Sequence, residues 1–259
     1  TVKLYANGKD TGKTLLLNEN NSWKASCTDL DKFANGEKIE YTVEEVKVEG
    51  YRTSVEGSAE NGFIVTNTHL PEKTEVSGNK TWNDANNQDG KRPASITINL
   101  LANGKVVKTI TVTEADGWKW SFKDLDKFEA GTEIEYSITE EAVEGYTTTY
   151  DGYNVTNSYT PSKTGVNVKK NWNDANNQDG LRPVRVTVKL YADGVYTGKS
   201  LVLSEENGWA GAFTDLDEYK AGKKISYTVE EVKVEGYTTV VSGNASEGFT
   251  VTNTHSPEK

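Results

Sequence analysis

The amino-acid sequence predicts an all-β protein made of tandem β-sandwich domains. Segments that alternate apolar and polar residues, such as SITINLL and VKLYADG, are separated by Asn-Gly, Asp-Gly and Glu-Gly pairs. This pattern is typical of short strands joined by tight turns, and no segment carries the apolar stripe of an amphipathic helix. A motif of the form IEYTVEE recurs with its tyrosine at Tyr41, Tyr136 and Tyr227, which are 95 and 91 residues apart. Repeats of about 90 residues, with roughly seven strands each, have the size of one sandwich domain.

We expect three domains, called here the first, second and third repeats, at residues 1–70, 74–160 and 164–257. The segments Pro71–Thr74 and Pro161–Thr164 are predicted linkers, and they are short enough to hold neighbouring repeats close together. Residues 1–5 of the first repeat match residues 187–191 of the third. Within residues 1–259 the first repeat therefore has no counterpart of the strand and loop that open the later repeats. Either that segment lies outside this sequence or another chain supplies it, because a sandwich without its first strand has an open sheet edge.

Composition and charge exclude several classes of function. A net charge of −10 and a pI near 4.9 argue against binding to nucleic acid or to an anionic membrane surface. No apolar run is long enough to span a membrane and no signal peptide is recognisable, so we expect a fragment of a longer protein. The single cysteine, Cys27, excludes an internal disulfide and aligns with Phe122 and Phe213, which predicts a small core residue. We expect a monomer that holds no metal and no cofactor.

Polar residues occupy the apolar face of several predicted strands. With a two-residue strand period, a lysine on the first strand, a glutamate on a late strand and an asparagine on the last strand all point inward. These residues are Lys80 and Lys170; Glu45, Glu140 and Glu231; and Asn67, Asn157 and Asn253. An unpaired buried charge costs several kcal/mol at the least, so the recurrence needs a chemical or structural reason.

One interpretation of the inward residues is a covalent reaction. Burial lowers the pKa of a lysine and raises that of a glutamate, so the pair can become a neutral amine and a carboxylic acid. The amine is then a nucleophile, and the acid can polarise the asparagine carboxamide and pass protons to departing ammonia. The product is a Lys–Asn amide, an isopeptide bond, formed at the high effective molarity that the fold provides. In the alternative interpretation the lysines extend towards solvent, the glutamates pair with them and the asparagines cap turns.

Four motifs in a fixed order resemble a known family. The K-x-W opening, the RP pair after a polar loop, the Y-[TS]-[VI]-x-E segment followed by EGY and the closing VTN resemble CnaB-type repeats, the B-type repeats of the collagen adhesin. The resemblance covers essentially the whole chain. It implies an inverse immunoglobulin-like (prealbumin-like) β-sandwich in each repeat. It also implies the bonds Lys80–Asn157 with Glu140 as catalyst and Lys170–Asn253 with Glu231, and assigns only Glu45 and Asn67 in the first repeat.

The resemblance also implies a biological setting. Such repeats are found in the stalks of Gram-positive surface adhesins and pilins, which are extracellular and anchored to the cell wall. The implied function is a structural stalk stiffened by self-formed isopeptide bonds, a single-turnover reaction and not an enzyme activity. Its partners would be neighbouring repeats and an N-terminal adhesin region, with host extracellular matrix bound through other domains.

Two other functions remain open at the level of sequence. A repeat that itself binds a host ligand would need an exposed aromatic, and Trp120, aligned with Ala25 and Gly211, is the candidate. Repeats stiffened by Ca²⁺ would use the loops WNDANNQDGKRP (82–93) and WNDANNQDGLRP (172–183). These loops lack the glycine and the glutamate that an EF-hand requires at positions six and twelve, which favours a polar turn with local hydrogen bonds.

Overall fold

The alternating segments form strands, most of them paired antiparallel, in the computed structural model, which describes residues 1–259. The prediction of an all-β protein is therefore confirmed, since the only helices are three single 3₁₀ turns at Glu19–Asn21, Glu114–Asp116 and Glu205–Asn207. By backbone contacts the chain divides into two units. One contains Thr1–Thr74 with Asp124–Ile134, and the other contains Glu75–Lys123 with Glu135–Lys259. None of the helices is long and apolar enough to cross a membrane.

The first repeat contains seven strands in three small sheets. They are β1 (Val2–Ala6), β2 (Lys9–Leu15), β3 (Phe33–Ala34), β4 (Glu37–Lys38), β5 (Tyr41–Glu45), β6 (Arg52–Ser58) and β7 (Gly62–Thr68). One sheet has the order β2-β1-β5, and β6 pairs only with β7. Residues 24–31, which align with a strand of the later repeats, form no strand. The reason is that no first strand lies beside β7 to pair with them.

The second repeat contains nine strands in two main sheets and a short hairpin. They are β8 (Lys73–Asn83), β9 (Ser95–Ala102), β10 (Lys105–Thr113), β11 (Lys119–Asp126), β12 (Phe128–Glu129), β13 (Thr132–Glu133), β14 (Tyr136–Glu140), β15 (Thr147–Asp151) and β16 (Asn154–Ser158). The two main sheets have the orders β11-β8-β16-β15 and β10-β9-β14.

The third repeat has the same arrangement of nine strands. They are β17 (Lys163–Asn173), β18 (Arg185–Ala192), β19 (Val195–Ser204), β20 (Ala210–Asp217), β21 (Tyr219–Lys220), β22 (Lys223–Lys224), β23 (Tyr227–Glu231), β24 (Thr238–Asn244) and β25 (Gly248–Thr254). Its main sheets have the orders β20-β17-β25-β24 and β19-β18-β23. The strands β8 and β17 begin at Lys73 and Lys163, inside the predicted linkers, so the connections are shorter than predicted.

The first and last strands of each complete repeat are parallel neighbours. Strand β16 pairs with β8 so that Val155 lies opposite Lys80, and β25 pairs with β17 so that Val251 lies opposite Lys170. Parallel neighbours place the lysine and the asparagine of one repeat on the same face, two residues apart in register. The glutamate lies on a strand of the facing sheet, at the end of β14 or β23. The three inward residues therefore meet between the two sheets.

Core packing differs among the repeats. Twelve buried residues form one hydrophobic cluster in the third repeat, whereas Val2 and Leu4 are the only buried apolar residues of the first. Trp23 is 67% exposed there, and Cys27 is only partly buried outside any strand. Contrary to the prediction, Cys27 is not a core residue in residues 1–259, because no strand of this stretch pairs beside it.

Trp120 is buried, so its prediction as an exposed aromatic for ligand binding is wrong. The reason lies on the neighbouring strand. A Cβ atom on Gly78 would lie 2.8 Å from the Trp120 ring and 1.8 Å from the Tyr153 carbonyl oxygen. In the third repeat Val168 lies opposite Gly211, at the positions that align with Gly78 and Trp120. The large and the small residue have exchanged strands, which keeps the packed volume similar.

Candidate functional site

The third repeat brings its lysine, glutamate and asparagine into one buried site. Lys170 on β17 lies with its Nζ 3.2 Å from Oε1 of Glu231 on β23, and both side chains are fully inaccessible to solvent. Asn253 on β25 is also fully buried, and its Nδ2 has no hydrogen-bond partner. Desolvation by burial lowers the pKa of Lys170, although the Glu231 carboxylate opposes the shift. The site therefore favours the neutral amine more than water does.

The second repeat contains the same site. Lys80 on β8 pairs with Glu140 on β14, and neither side chain is accessible to solvent. Burial lowers the pKa of Lys80, although the hydrogen bond that Lys80 donates to Glu140 opposes the shift. Asn157 is completely buried, and neither Oδ1 nor Nδ2 of its carboxamide has a hydrogen-bond partner. A buried amide without hydrogen bonds costs free energy, so Asn157 is an unusual residue for an apolar strand face.

A threonine that the sequence analysis missed joins each site. Thr239 Oγ1 lies 3.0 Å from Oε2 of Glu231 and 2.8 Å from Oδ1 of Asn253. In the second repeat Thr148 Oγ1 lies 3.1 Å from Oε2 of Glu140. Each threonine lies directly across the strand pair from the asparagine of its repeat. The signal in the sequence was the threonine two residues after the tyrosine of EGY, at the same place in all three repeats.

A tryptophan covers the lysine in both complete repeats. The Lys80 Nζ lies 4.7 Å from the ring centroid of Trp82, and the Lys170 Nζ lies 4.3 Å from that of Trp172. Each indole also packs edge-on against a second tryptophan and a tyrosine. The aromatic layer keeps water away from the amine, which gives the Trp of the Lys-x-Trp motif a physical role.

The polar loops that follow these tryptophans are held by their own side chains. In the third repeat Arg182 donates two hydrogen bonds to Asp174, at 3.0 and 2.6 Å, and Tyr237 donates a third at 2.9 Å. The Arg182 hydrogen bond is the main reason that the pKa of Asp174 is lowered to about 2, and burial raises the pKa of Tyr237 to about 12. Asp84 has matching bonds to Arg92, Asn87 and Tyr146 in the second repeat. The structure contains no group of three His, Cys, Asp or Glu side chains placed to hold a metal ion.

The first repeat brings Glu45 and Asn67 together without a lysine. Asn67 Nδ2 donates to Oε1 of Glu45 at 3.0 Å, and Thr53 Oγ1 lies 2.8 Å from both Glu45 Oε2 and Asn67 Oδ1. Asn67 points towards Glu45, as the strand period predicts, but it is exposed, because within residues 1–259 β7 pairs only with β6. The first repeat thus has the glutamate and the asparagine of the site in the other repeats, but not the lysine.

The strand order and the repeated site define a tandem β-sandwich protein, and comparison with known proteins gives the family. The family model of the Cna protein B-type domain matches residues 1–68, 76–158 and 166–254. The chain therefore belongs to the Cna protein B-type domain family, and the predicted resemblance is confirmed. It is 50% identical over 260 residues to the collagen adhesin of Staphylococcus aureus, covering 100% of this chain but only 22% of that protein.

Solved structures of the same family resemble this chain. The crystal structure of two B repeat units of the S. aureus collagen binding protein is 49% identical, with a TM-score of 0.56 over 98% of this chain and 69% of that one. A crystal structure of a single B repeat unit is 50% identical, with a TM-score of 0.36, covering 72% of this chain and 100% of that one. The first of these confirms the predicted immunoglobulin-like β-sandwich class.

Proposed function

We propose that this chain is a stalk segment of a bacterial surface adhesin, in which the second and third repeats each close a Lys–Asn isopeptide bond. The bonds join Lys80 to Asn157 and Lys170 to Asn253. The observation that carries the proposal is the same solvent-free lysine, glutamate and asparagine in both complete repeats. A buried ion pair stabilises a fold less than apolar packing does, so a purely structural role accounts poorly for its recurrence.

The reaction begins with a proton transfer between the paired groups. Burial lowers the pKa of Lys170, which favours transfer of one ammonium proton to the Glu231 carboxylate. The pair then consists of a neutral amine and a carboxylic acid. The Trp172 ring over the amine excludes water. The nucleophile is thus held beside Glu231, which Thr239 links to the Asn253 carboxamide.

The hydrogen bonds of Thr239 support a protonated carboxyl group. Its hydroxyl has one hydrogen but contacts two acceptor oxygens, Glu231 Oε2 and Asn253 Oδ1. A carboxylic acid satisfies both contacts, because Glu231 donates to Thr239 and Thr239 donates to Asn253. This relay draws electron density from the carboxamide carbon where the amine attacks.

The remaining steps conserve atoms and charge. The Lys170 nitrogen bonds to Cγ of Asn253, and the electrons of the C=O bond move onto Oδ1. The bond from Cγ to Nδ2 then breaks, and Glu231 moves a proton from the attacking nitrogen to the leaving one. The electrons on Oδ1 re-form the C=O bond, which gives one secondary amide and one molecule of ammonia. Glu231 then passes the proton that it first took from Lys170 to the departing ammonia, which leaves as ammonium, and the glutamate is again a carboxylate. Each repeat reacts once, so the chain is not an enzyme with turnover.

The position of the bonds supports a mechanical role. Each bond joins neighbouring parallel strands at the two ends of a repeat, separated by 77 residues in the second repeat and 83 in the third. Closing such a loop stabilises the folded state by about 4 kcal/mol in the chain-entropy model. Tension applied at the two ends of a repeat would pass through the covalent bond, and the sandwich would not be pulled apart.

The family and the named relative support a location in a bacterial surface adhesin. The relative is a collagen adhesin, described as a collagen binding surface protein, and this chain spans 22% of its length. We therefore place this chain outside the cell, in a cell-wall-anchored adhesin, with domains at residues 1–70, 74–160 and 164–257. Its partners would be neighbouring repeats and an N-terminal adhesin region, and other domains would bind host matrix.

Single-molecule pulling from the two termini tests the stalk function. In the native chain, residues 170–253 should stay locked, whereas Lys170→Ala should release them and add about 280 Å of extension at ~3.4 Å per residue. Lys169→Ala, one position away on the outward face, is the matched control and should release nothing. Full extension of the native third repeat would contradict the proposal.

A further inference from the structure

The polar loop of the second repeat makes a contact that the crosslinking site does not need. The backbone N–H of Gly222, in the turn between β21 and β22 of the third repeat, donates to the Gln88 carbonyl at 2.9 Å. A Cβ atom on Gly90 would lie 2.6 Å from the Gly222 Cα, and one on Gly222 would lie 3.2 Å from the Gly90 Cα. The two backbones therefore touch directly, and neither position has room for a side chain.

The same loop also holds the connection between the two repeats. Asp89 is 5% exposed, and its Oδ2 accepts hydrogen bonds from the Tyr159 hydroxyl at 2.8 Å and from the Ser162 N–H at 2.7 Å. Residues 159–162 link β16 to β17. The third repeat is thus attached to this loop at two places, its connecting segment and the turn that carries Gly222.

The third repeat contains an identical loop with no such neighbour. Residues 172–180 repeat residues 82–90 without a change. Asp179 again holds the chain that follows, since its Oδ2 lies 2.9 Å from both the Glu258 N–H and the His255 Nε2. A Cβ atom on Gly180, however, would meet nothing within 4 Å. The loop is assembled in the same way, but the space that Gly222 fills in the second repeat is open.

We propose that this loop is a socket for the glycine turn of the next repeat. Residues 84–92 hold the turn of the third repeat, and residues 174–182 form a docking surface for the same turn of a repeat joined after residue 259. The occupant must be a narrow turn with glycine at positive φ and a free N–H, as at Gly222, where φ is +76°. Such head-to-tail contacts repeat without closing, so each joint fixes the angle between successive repeats of a stalk.

The chain offers a matched pair of variants to test the first socket. Gly90 and Gly180 have φ values of +69° and +68°, so alanine strains the backbone equally at both, but only Gly90 has a neighbour. Spin labels at the exposed positions of Lys105 and Lys199, in a Cys27→Ser background, report the distance between the repeats by pulsed electron paramagnetic resonance. The native chain and Gly180→Ala should give one narrow distribution, and Gly90→Ala should broaden or displace it. Equal distributions for all three proteins, or equal broadening by both alanines, would overturn the proposal.

An extended chain tests the second socket. A copy of residues 164–259 is added after Lys259, with labels at Lys199 and at its copy. We expect a narrow distance distribution that Gly180→Ala now broadens, although it had no effect in the shorter chain. A broad distribution in the extended chain without the variant, or no effect of Gly180→Ala, would show that this loop does not dock a following repeat. Intact mass of each protein shows separately whether the isopeptide bonds have formed.

Discussion

Among single residues, Thr239 is the member of the site that the strand pattern did not predict. Lysine and glutamate stand out on an apolar strand face because buried charge is costly, and the strand period alone places them inward. A threonine in a segment such as GYTTVV is marked only by its recurrence two residues after the EGY tyrosine, since threonine is common in strands. Only the cross-strand register, with Thr239 opposite Asn253, assigns it to the site. Thr239 acts through the two groups it touches, so it is a positioning residue.

Thr239→Val keeps the shape of the side chain and removes the hydroxyl. We expect the bond of the third repeat to form about tenfold more slowly, because one hydrogen bond to the reacting carboxamide, worth about 1.4 kcal/mol, is lost. Ammonia loss followed by mass spectrometry during refolding measures the rate. Thr239→Ser should restore it, and Thr238→Val is the neighbouring control. An unchanged rate in Thr239→Val would remove this residue from the mechanism.

Glu140 provides the second residue-scale prediction. Glu140→Ala should leave the second repeat folded but without its bond, because the amine has no proton acceptor and the carboxamide no polarising acid. Glu141, one position along and exposed, provides the control Glu141→Ala, which should react normally. Intact mass distinguishes the two variants by one molecule of ammonia. Normal ammonia loss in Glu140→Ala would mean that Glu140 is not the catalyst.

At the scale of elements, the strand pattern predicted the segments but not their partners. Alternation placed Lys80 and Asn157 on inner faces, yet it could not tell that β8 and β16 lie side by side and parallel. Alternation also does not reveal that Val168 replaces Gly78 and Gly211 replaces Trp120 in the third repeat. Trp120 was therefore wrongly predicted to be exposed. Pairing between strands that are distant in sequence depends on packing between sheets, which a local pattern does not contain.

Within residues 1–259 the first repeat has the fewest strands and the smallest buried core. Its sheet of β6 and β7 has an open edge, and Leu16, Trp23 and Ile64 are each more than 60% exposed. In a polypeptide of these 259 residues we expect proteases to cut this repeat before the other two. Limited proteolysis followed by mass spectrometry identifies the order of cutting. Equal resistance of all three repeats would contradict this expectation.

The same repeat should accept a first strand from outside. A peptide VNVKKNW can add to β7 as a strand, and the lysine aligned with Lys170 would meet Glu45 and Asn67. We expect a covalent adduct that survives a denaturing gel, with one ammonia lost. The peptide VNVKRNW, with arginine at that place, is the control and should give no adduct. No adduct with either peptide would mean that this face does not complete the site.

At the scale of the whole molecule, the period of the sequence was the strongest predictor. Three recurrences of one strand motif predicted tandem β-sandwiches, and the family match and the strand content agree. The contact of Gly90 with Gly222 could not be predicted, because glycine in a polar turn has many uses and the neighbour is 132 residues away. Contacts between repeats depend on how the connecting segments bend, as at Asp89 and Ser162.

The central claim is that two isopeptide bonds form in this chain without help from another protein. Each bond removes one ammonia, about 17 Da, because a primary carboxamide becomes a secondary amide. Intact mass of the purified 259-residue polypeptide should therefore be about 34 Da below the sequence mass. Lys80→Ala and Lys170→Ala should each lose only about 17 Da relative to their own sequence masses, because one lysine remains to react in each. A native mass equal to that of the unmodified sequence would contradict the account.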